Sequence, residues 1–107
     1  ALDALWAGLP LLTGSGDGFA ARVGASFLTC LELHEMIARS DEEYEELAVE
    51  LGLDPGRRTA LRQKLAERRT TAPLFDTAAW VENVERAYRA MWDIYAAGDK
   101  PREILLD

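Results

Sequence analysis

Leu2-Asp3-Ala4-Leu5-Trp6-Ala7-Gly8-Leu9-Pro10-Leu11-Leu12-Thr13 is the stretch on which the fold turns. Leu2, Leu5 and Trp6 already have helical spacing, and no N-cap residue precedes them. Gly8 is suited to the left-handed position that closes a helix, and Pro10 forbids its continuation. Pro10 to Thr13 then reads as a short buried strand. A helix that stops at glycine and feeds a strand within three residues is the αβ joint of an open α/β sheet. Since the helix is under way when the sequence opens, the chain is expected to be the tail of a larger nucleotide-handling domain.

The 107 residues allow one domain or a piece of one. Acids outnumber bases 19 to 12, for a net charge of −7, which argues against nucleic acid or an anionic membrane as partner. The one basic cluster, Arg57, Arg58, Arg62, Lys64, Arg68 and Arg69, reads as a solvated helix face. Cys30 is the only cysteine, so no intrachain disulfide forms, and a reducing, cytoplasmic location is expected. Its apolar neighbours make it a small buried hydrophobe. No apolar run approaches the roughly 20 residues of a membrane span, and no signal peptide is visible.

After the strand comes the loop Gly14-Ser15-Gly16-Asp17-Gly18 and a helix with Phe19, Val23, Phe27 and Cys30 on one face. Ala20, Ala21, Gly24 and Ala25 keep that helix thin, which suits close packing on a sheet. Leu31 to Ala38 is ambiguous; Leu33, Met36 and Ile37 favour a short helix. Ser40-Asp41-Glu42-Glu43 is a capping box, and its acids suit the positive end of a helix better than a metal. Tyr44, Leu47, Ala48 and Leu51 give that helix a buried stripe, and Gly52 ends it. Asp54-Pro55 caps and starts the next helix, anchored by Leu61 and Leu65 and closed by Thr70-Thr71-Ala72-Pro73. Asp76 or Thr77 caps the longest helix. Its stripe of Trp80, Val84, Ala87, Tyr88, Met91, Trp92 and Tyr95 reads as core, and Gly98 and Pro101 end it. One strand alone cannot satisfy its ladder groups, so its neighbours are expected outside this chain.

Catalytic pairings are hard to assemble. His34 is the only histidine and lies between Leu33 and Met36 with no nucleophile or metal partner nearby in sequence, so it reads as structural. The Gly14-x-Gly16-x-Gly18 run follows a strand and opens a helix, as phosphate loops do, but lacks the full dinucleotide fingerprint; a turn is favoured. Asp3 lies early in the first helix. An acid there can accept both hydroxyls of a ribose diol, or can stabilise the helix dipole, and spacing does not separate the two.

Leu2-Asp3-x-Leu5-Trp6-Ala7-Gly8-x-Pro10 and Arg22-Val23-x-Ala25-Ser26-x-Leu28-Thr29-Cys30-Leu31 resemble the C-terminal catalytic lobe of the O-GlcNAc transferases. The resemblance continues through Glu43-Tyr44-x-x-Leu47-Ala48 and Pro73-Leu74-Phe75. It ends with Met91-Trp92-x-x-Tyr95-Ala96-Ala97-Gly98-x-Lys100-Pro101, so it covers nearly the whole chain. It implies an α/β fold: the C-terminal part of a Rossmann-like lobe of a GT-B glycosyltransferase, mostly helical over this stretch. Residues 1–69 would be the last strand-helix units of the nucleotide-sugar lobe, and 70–107 the closing helix and tail. The family moves N-acetylglucosamine from UDP-GlcNAc to Ser or Thr hydroxyls of intracellular proteins, with inversion and without a required metal or cofactor. Its catalytic region follows tetratricopeptide (TPR) repeats.

In that family the Asp matching Asp3 holds the uridine ribose, so Asp3 is the one donor ligand carried over. The rest of the family site has no counterpart in these residues, so no catalytic or metal-binding residue is assigned. Two departures stand out: Glu32 replaces the family's usual Gly, so that turn is expected to be rebuilt, and His34 replaces an apolar residue or Pro. The implied partners are the UDP-sugar, an acceptor protein, the remaining catalytic region and the repeats, with no nucleic acid and no membrane. The chain alone is expected to be inactive. The alternatives are a SPINDLY-like protein O-fucosyltransferase using GDP-fucose, and a non-catalytic helical interaction module.

Overall fold

Ile37 and Ala38 overturn the expected helix over residues 31–38. In the computed structural model, which describes residues 1–106, they form strand β2 and pair in parallel with β1, Thr13–Gly14. Thr13 stands opposite Ile37 and Gly14 opposite Ala38. The strand expected over Pro10 to Thr13 therefore starts at its last residue. Proline has no N–H to give a ladder, and Leu11 and Leu12 reach the core from extended chain without pairing. Between the strands a 3-10 turn, His34–Met36, is the one turn of helix that survives from the expected element; Leu33 just before it and Met36 at its end are buried.

The chain divides into two compact units, Ala1–Phe75 and Asp76–Asp107. The first begins with α1, Leu2–Trp6, and continues through β1 to α2, Phe19–Cys30. After β2 come α3, Asp41–Leu53, and α4, Pro55–Thr71, and a 3-10 turn over Pro73–Phe75 closes the unit. Leu5 of α1, Leu28 and Leu31 around the end of α2, Leu33, Met36, and Leu61 and Leu65 of α4 form its buried core. The apolar anchors of α4 are the two that its sequence singled out.

The inward face of α2 differs from the expected one. Leu28 is the buried residue of the helix, while Phe19 and Cys30 are exposed. Cys30 lies about 200° around the helix from Leu28, so once Leu28 and Leu31 point inward the thiol points out. The close helix–sheet approach does hold. A Cβ on Gly24 would come within 2.8 Å of the Thr13 hydroxyl, so only glycine lets α2 lie this close to β1.

At the end of α2 the chain closes in a left-handed turn without glycine. Glu32 itself takes the left-handed conformation, at φ 56°. Its N–H donates to the Thr29 carbonyl at 3.0 Å, and the Leu33 N–H donates to Leu28 at 2.8 Å. These are the paired bonds of a Schellman closure, in which glycine is the favoured residue. The Glu32 carboxylate meets the Arg68 guanidinium at 2.5 Å, which offsets part of the backbone cost. A non-glycine residue there costs about 1–2 kcal/mol and a surface ion pair returns about 0–1 kcal/mol. Glu32→Gly is therefore expected to raise stability by about 0.5–1 kcal/mol, whereas Glu32→Ala, which keeps the Cβ and loses the ion pair, should not. Urea unfolding of both variants checks this.

Both caps of the helical hairpin form as read. The Ser40 hydroxyl accepts from the Glu43 N–H at 3.2 Å, and Asp54 accepts from the Arg57 N–H at 2.9 Å. The Glu43 carboxylate accepts from the N–H of Arg39, one residue before the expected Ser40. The helix runs past Gly52 to Leu53, and Asp54 serves as the end of α3 and the start of α4. None of its residues is fully buried: Leu47 and Leu51 are half-buried and Tyr44 is exposed.

The second unit is α5, Thr77–Ala96, followed by a turn at Ala97 and Gly98 and a segment without regular structure to residue 106. Asp76 caps it, accepting from the Ala79 N–H at 3.0 Å. The aromatic stripe expected to be core is not: no residue of α5 is buried, and Trp80, Tyr88, Trp92 and Tyr95 are all more than 60% exposed. Helical periodicity assigns side chains to one face, but burial requires a second surface against that face.

Candidate functional site

Five residues make a helix too short to hold itself in water, so α1 owes its pose to what its side chains touch. Leu5 is fully buried in the core. The Trp6 ring lies 5.1 Å from that of Phe75, and the Arg69 guanidinium sits 5.3 Å from the Trp6 ring centroid. Arg69 also donates to the Trp6 carbonyl at 2.5 Å. Gly8, at φ 84°, closes the helix as the sequence indicated: its N–H donates to Leu5 and that of Leu9 to Ala4.

Asp3 stands in the first turn of this held helix. It is exposed, and its carboxylate has no hydrogen bond or ion pair among the described residues. An exposed carboxylate with all its acceptor positions open can receive two hydroxyls. The start of α1 lies beside a cleft of about 280 Å³ whose walls include Ala1, Leu12 and Thr13 on one side and Ala20 and Gly24 of α2 on the other.

The glycine loop after β1 is a connector. The Ser15 N–H extends the ladder by donating to the Ala38 carbonyl at 2.7 Å. None of Gly14, Gly16 or Gly18 has a positive φ, and a Cβ on Gly14 or Gly18 would meet nothing. No backbone conformation there demands glycine.

His34 is exposed on the 3-10 turn, away from any nucleophile in the sequence around it. Its neighbour Glu35 bonds Lys64 of α4 at 2.6 Å. Burial pushes the Glu35 carboxyl up, but the Lys64 hydrogen bond and charge, the backbone and His34 together hold it below its usual range. The stabilisation is thus present above the unfolded carboxylate pKa and lost as pH falls through the lower folded one. Because the pair is more than a third exposed, acid titration is expected to remove only about 0.2–1 kcal/mol below pH ~4, a loss absent in Glu35→Gln. Thermal melts across pH 2–6 measure it.

The cations of α4 do more than face solvent. Arg57 pairs with Glu50 of α3, Lys64 with Glu35, and Arg68 with Glu32. Arg58 donates to the Leu51 and Gly52 carbonyls. No group of three or more metal-ligating side chains occurs among the described residues, and no helix there is long and apolar enough to cross a membrane.

The sequence model of glycosyl transferase family 41 matches residues 1–84. The chain belongs to that family. It is 45% identical over 101 residues to SEC of Arabidopsis thaliana, described as a probable UDP-N-acetylglucosamine–peptide N-acetylglucosaminyltransferase; 94% of this chain and 10% of that protein are covered. It is 38% identical to SPINDLY of Petunia hybrida, described in the same words, over 92% of this chain and 11% of the relative. Among solved structures, a mutant O-GlcNAc transferase of Thermobaculum terrenum matches with a TM-score of 0.76 and 36% identity, over 84% of this chain and 17% of that one. The fold is accordingly α/β, the C-terminal part of a Rossmann-like lobe of a GT-B glycosyltransferase, largely helical over this stretch. The chain spans about a tenth of the length of these curated relatives.

Proposed function

We propose that this family 41 chain supplies part of the donor-binding lobe of an inverting protein O-GlcNAc transferase. That enzyme moves N-acetylglucosamine from UDP-GlcNAc onto Ser or Thr hydroxyls of acceptor proteins. The observation that carries the reading is the 45% identity to a UDP-GlcNAc–peptide transferase over 94% of this chain, against 38% to a SPINDLY protein. Asp3 accepts the ribose hydroxyls of the nucleotide from the first turn of α1, where its carboxylate is exposed and free. It fixes the donor and leaves bond cleavage to groups elsewhere in the lobe, since no acid–base pair is assembled beside Asp3 among the described residues.

The lobe acts with the remaining catalytic region and TPR repeats, in the cytoplasm, without a metal, cofactor, nucleic acid or membrane. The chain by itself is inactive. Labelled UDP-GlcNAc and GDP-fucose, offered separately with a Ser/Thr acceptor protein to the full-length protein containing this chain, test the reading. Sugar transfer from UDP-GlcNAc that persists in EDTA supports it. Turnover of GDP-fucose without turnover of UDP-GlcNAc overturns it in favour of an O-fucosyltransferase, and transfer by the isolated chain overturns its inactivity.

A further inference from the structure

Arg69 stands 63 residues from Trp6 in sequence, yet it makes two different contacts with it. Its guanidinium donates to the Trp6 carbonyl at 2.5 Å and lies 5.3 Å from the centroid of the Trp6 ring. The carbonyl is one of the last of α1, which the short helix leaves without an amide partner of its own. A cation at that end also meets the negative pole of the helix. The same indole ring is flanked by Phe75 at 5.1 Å, so the C-terminal end of α1 is held on its polar and its aromatic side at once.

We infer that Arg69 is a positioning residue for the nucleotide: it clamps the end of α1 and thereby fixes where Asp3 presents its carboxylate. The inference rests on the ribose role of Asp3. Asp3 and Trp6 are three residues apart on one helical turn, so their side chains lie on neighbouring faces. Leu5 anchors α1 in the core and Phe75 packs against the Trp6 ring, but both are apolar contacts, about which a helix of five residues can still tilt. Arg69 supplies the polar hold at the helix end opposite Asp3, and Asp3 moves with any tilt that follows from losing it. Lysine cannot replace it fully, because only the planar guanidinium both stacks on the indole and donates to the carbonyl. Arg69 contacts Trp6 and acts on α1, so in this proposal its effect reaches the donor through Asp3.

The test uses the full-length protein, with UDP affinity measured by calorimetry and donor and acceptor kinetics measured alongside. Arg69→Met keeps the stem and removes the fork. It is expected to raise the UDP Kd and the donor KM about tenfold, with kcat and acceptor KM changed less than about twofold. Arg69→Lys should lose about threefold, a partial rescue that rules out a global fold defect. In an Asp3→Ala background, Arg69→Met should cost less than about twofold more, because the two act through one contact. Unchanged UDP affinity in Arg69→Met while Asp3→Ala weakens it overturns the clamp and leaves the ribose role standing. Fully additive losses in the double variant also overturn the clamp. Unchanged affinity in Asp3→Ala overturns the ribose role itself, whatever Arg69→Met does.

Discussion

Replacing Leu65 with alanine is expected to destabilise the first unit by about 3–4 kcal/mol. Leu65 is fully buried and is, with Leu61, one of two leucines on a mostly charged and polar helix, and it joins α4 to the cluster around Leu5, Leu28 and Leu31. Its removal leaves a cavity bordered by the rest of that cluster. The ion pairs from Arg57, Lys64 and Arg68 hold α4 against its neighbours, so the helix cannot collapse freely into the space. The cost therefore falls near the middle of the range for buried leucines rather than at its lower end. Urea unfolding with an unchanged m-value measures it, and Leu53→Ala, at a site 80% exposed, serves as the control expected within about 0.5 kcal/mol of wild type. A loss below about 1 kcal/mol at Leu65 would mean that the core closes around the cavity.

Removing the Asp3 carboxylate is expected to weaken UDP binding by about 1.5–3 kcal/mol, the range for hydrogen bonds to a charged group. The carboxylate is exposed and has no partner among the described residues, so Asp3→Ala leaves nothing buried and unpaired in the free protein. The whole change should then appear in binding, with stability nearly unaltered. Asp3→Asn should recover part of the loss, because its amide oxygen still accepts one hydroxyl. His34→Ala and Asp17→Ala, both at exposed positions, should leave affinity close to wild type. Calorimetric titration with UDP reads all four variants. Wild-type affinity in Asp3→Ala, with the thermal transition unchanged, would leave Asp3 as a helix-dipole residue.

The candidate site was legible in the sequence only through its resemblance to the O-GlcNAc transferases. Spacing placed Asp3 on a helix and left two uses for it. The contacts that hold that helix were not legible at all. Arg69 belongs by pattern to a basic run with Arg57 and Lys64, and nothing local distinguishes the arginine that reaches Trp6 from those that meet Glu50 or Glu32. Cys30 shows the same limit on a smaller scale, since apolar neighbours predict burial only when the helix is turned the way they suggest.

What the sequence determined by itself was everything carried by short-range chemistry. Ser40, Asp54 and Asp76 cap the helices they precede, because a side-chain oxygen meets an amide two or three residues on whatever surrounds it. Gly8 closes α1, and Leu61 and Leu65 anchor α4, for reasons confined to one or two helical turns. The tertiary structure alone decided that Ile37–Ala38 is a strand, because its ladder partner, Thr13–Gly14, lies far back in the chain and outweighs a weak local helical pattern. It also decided that Glu32 bears a left-handed turn, opposite an arginine that only the packing of α4 brings near. And it left the aromatic face of α5 exposed, since the burial of a face depends on the surface that meets it and not on the residues that compose it.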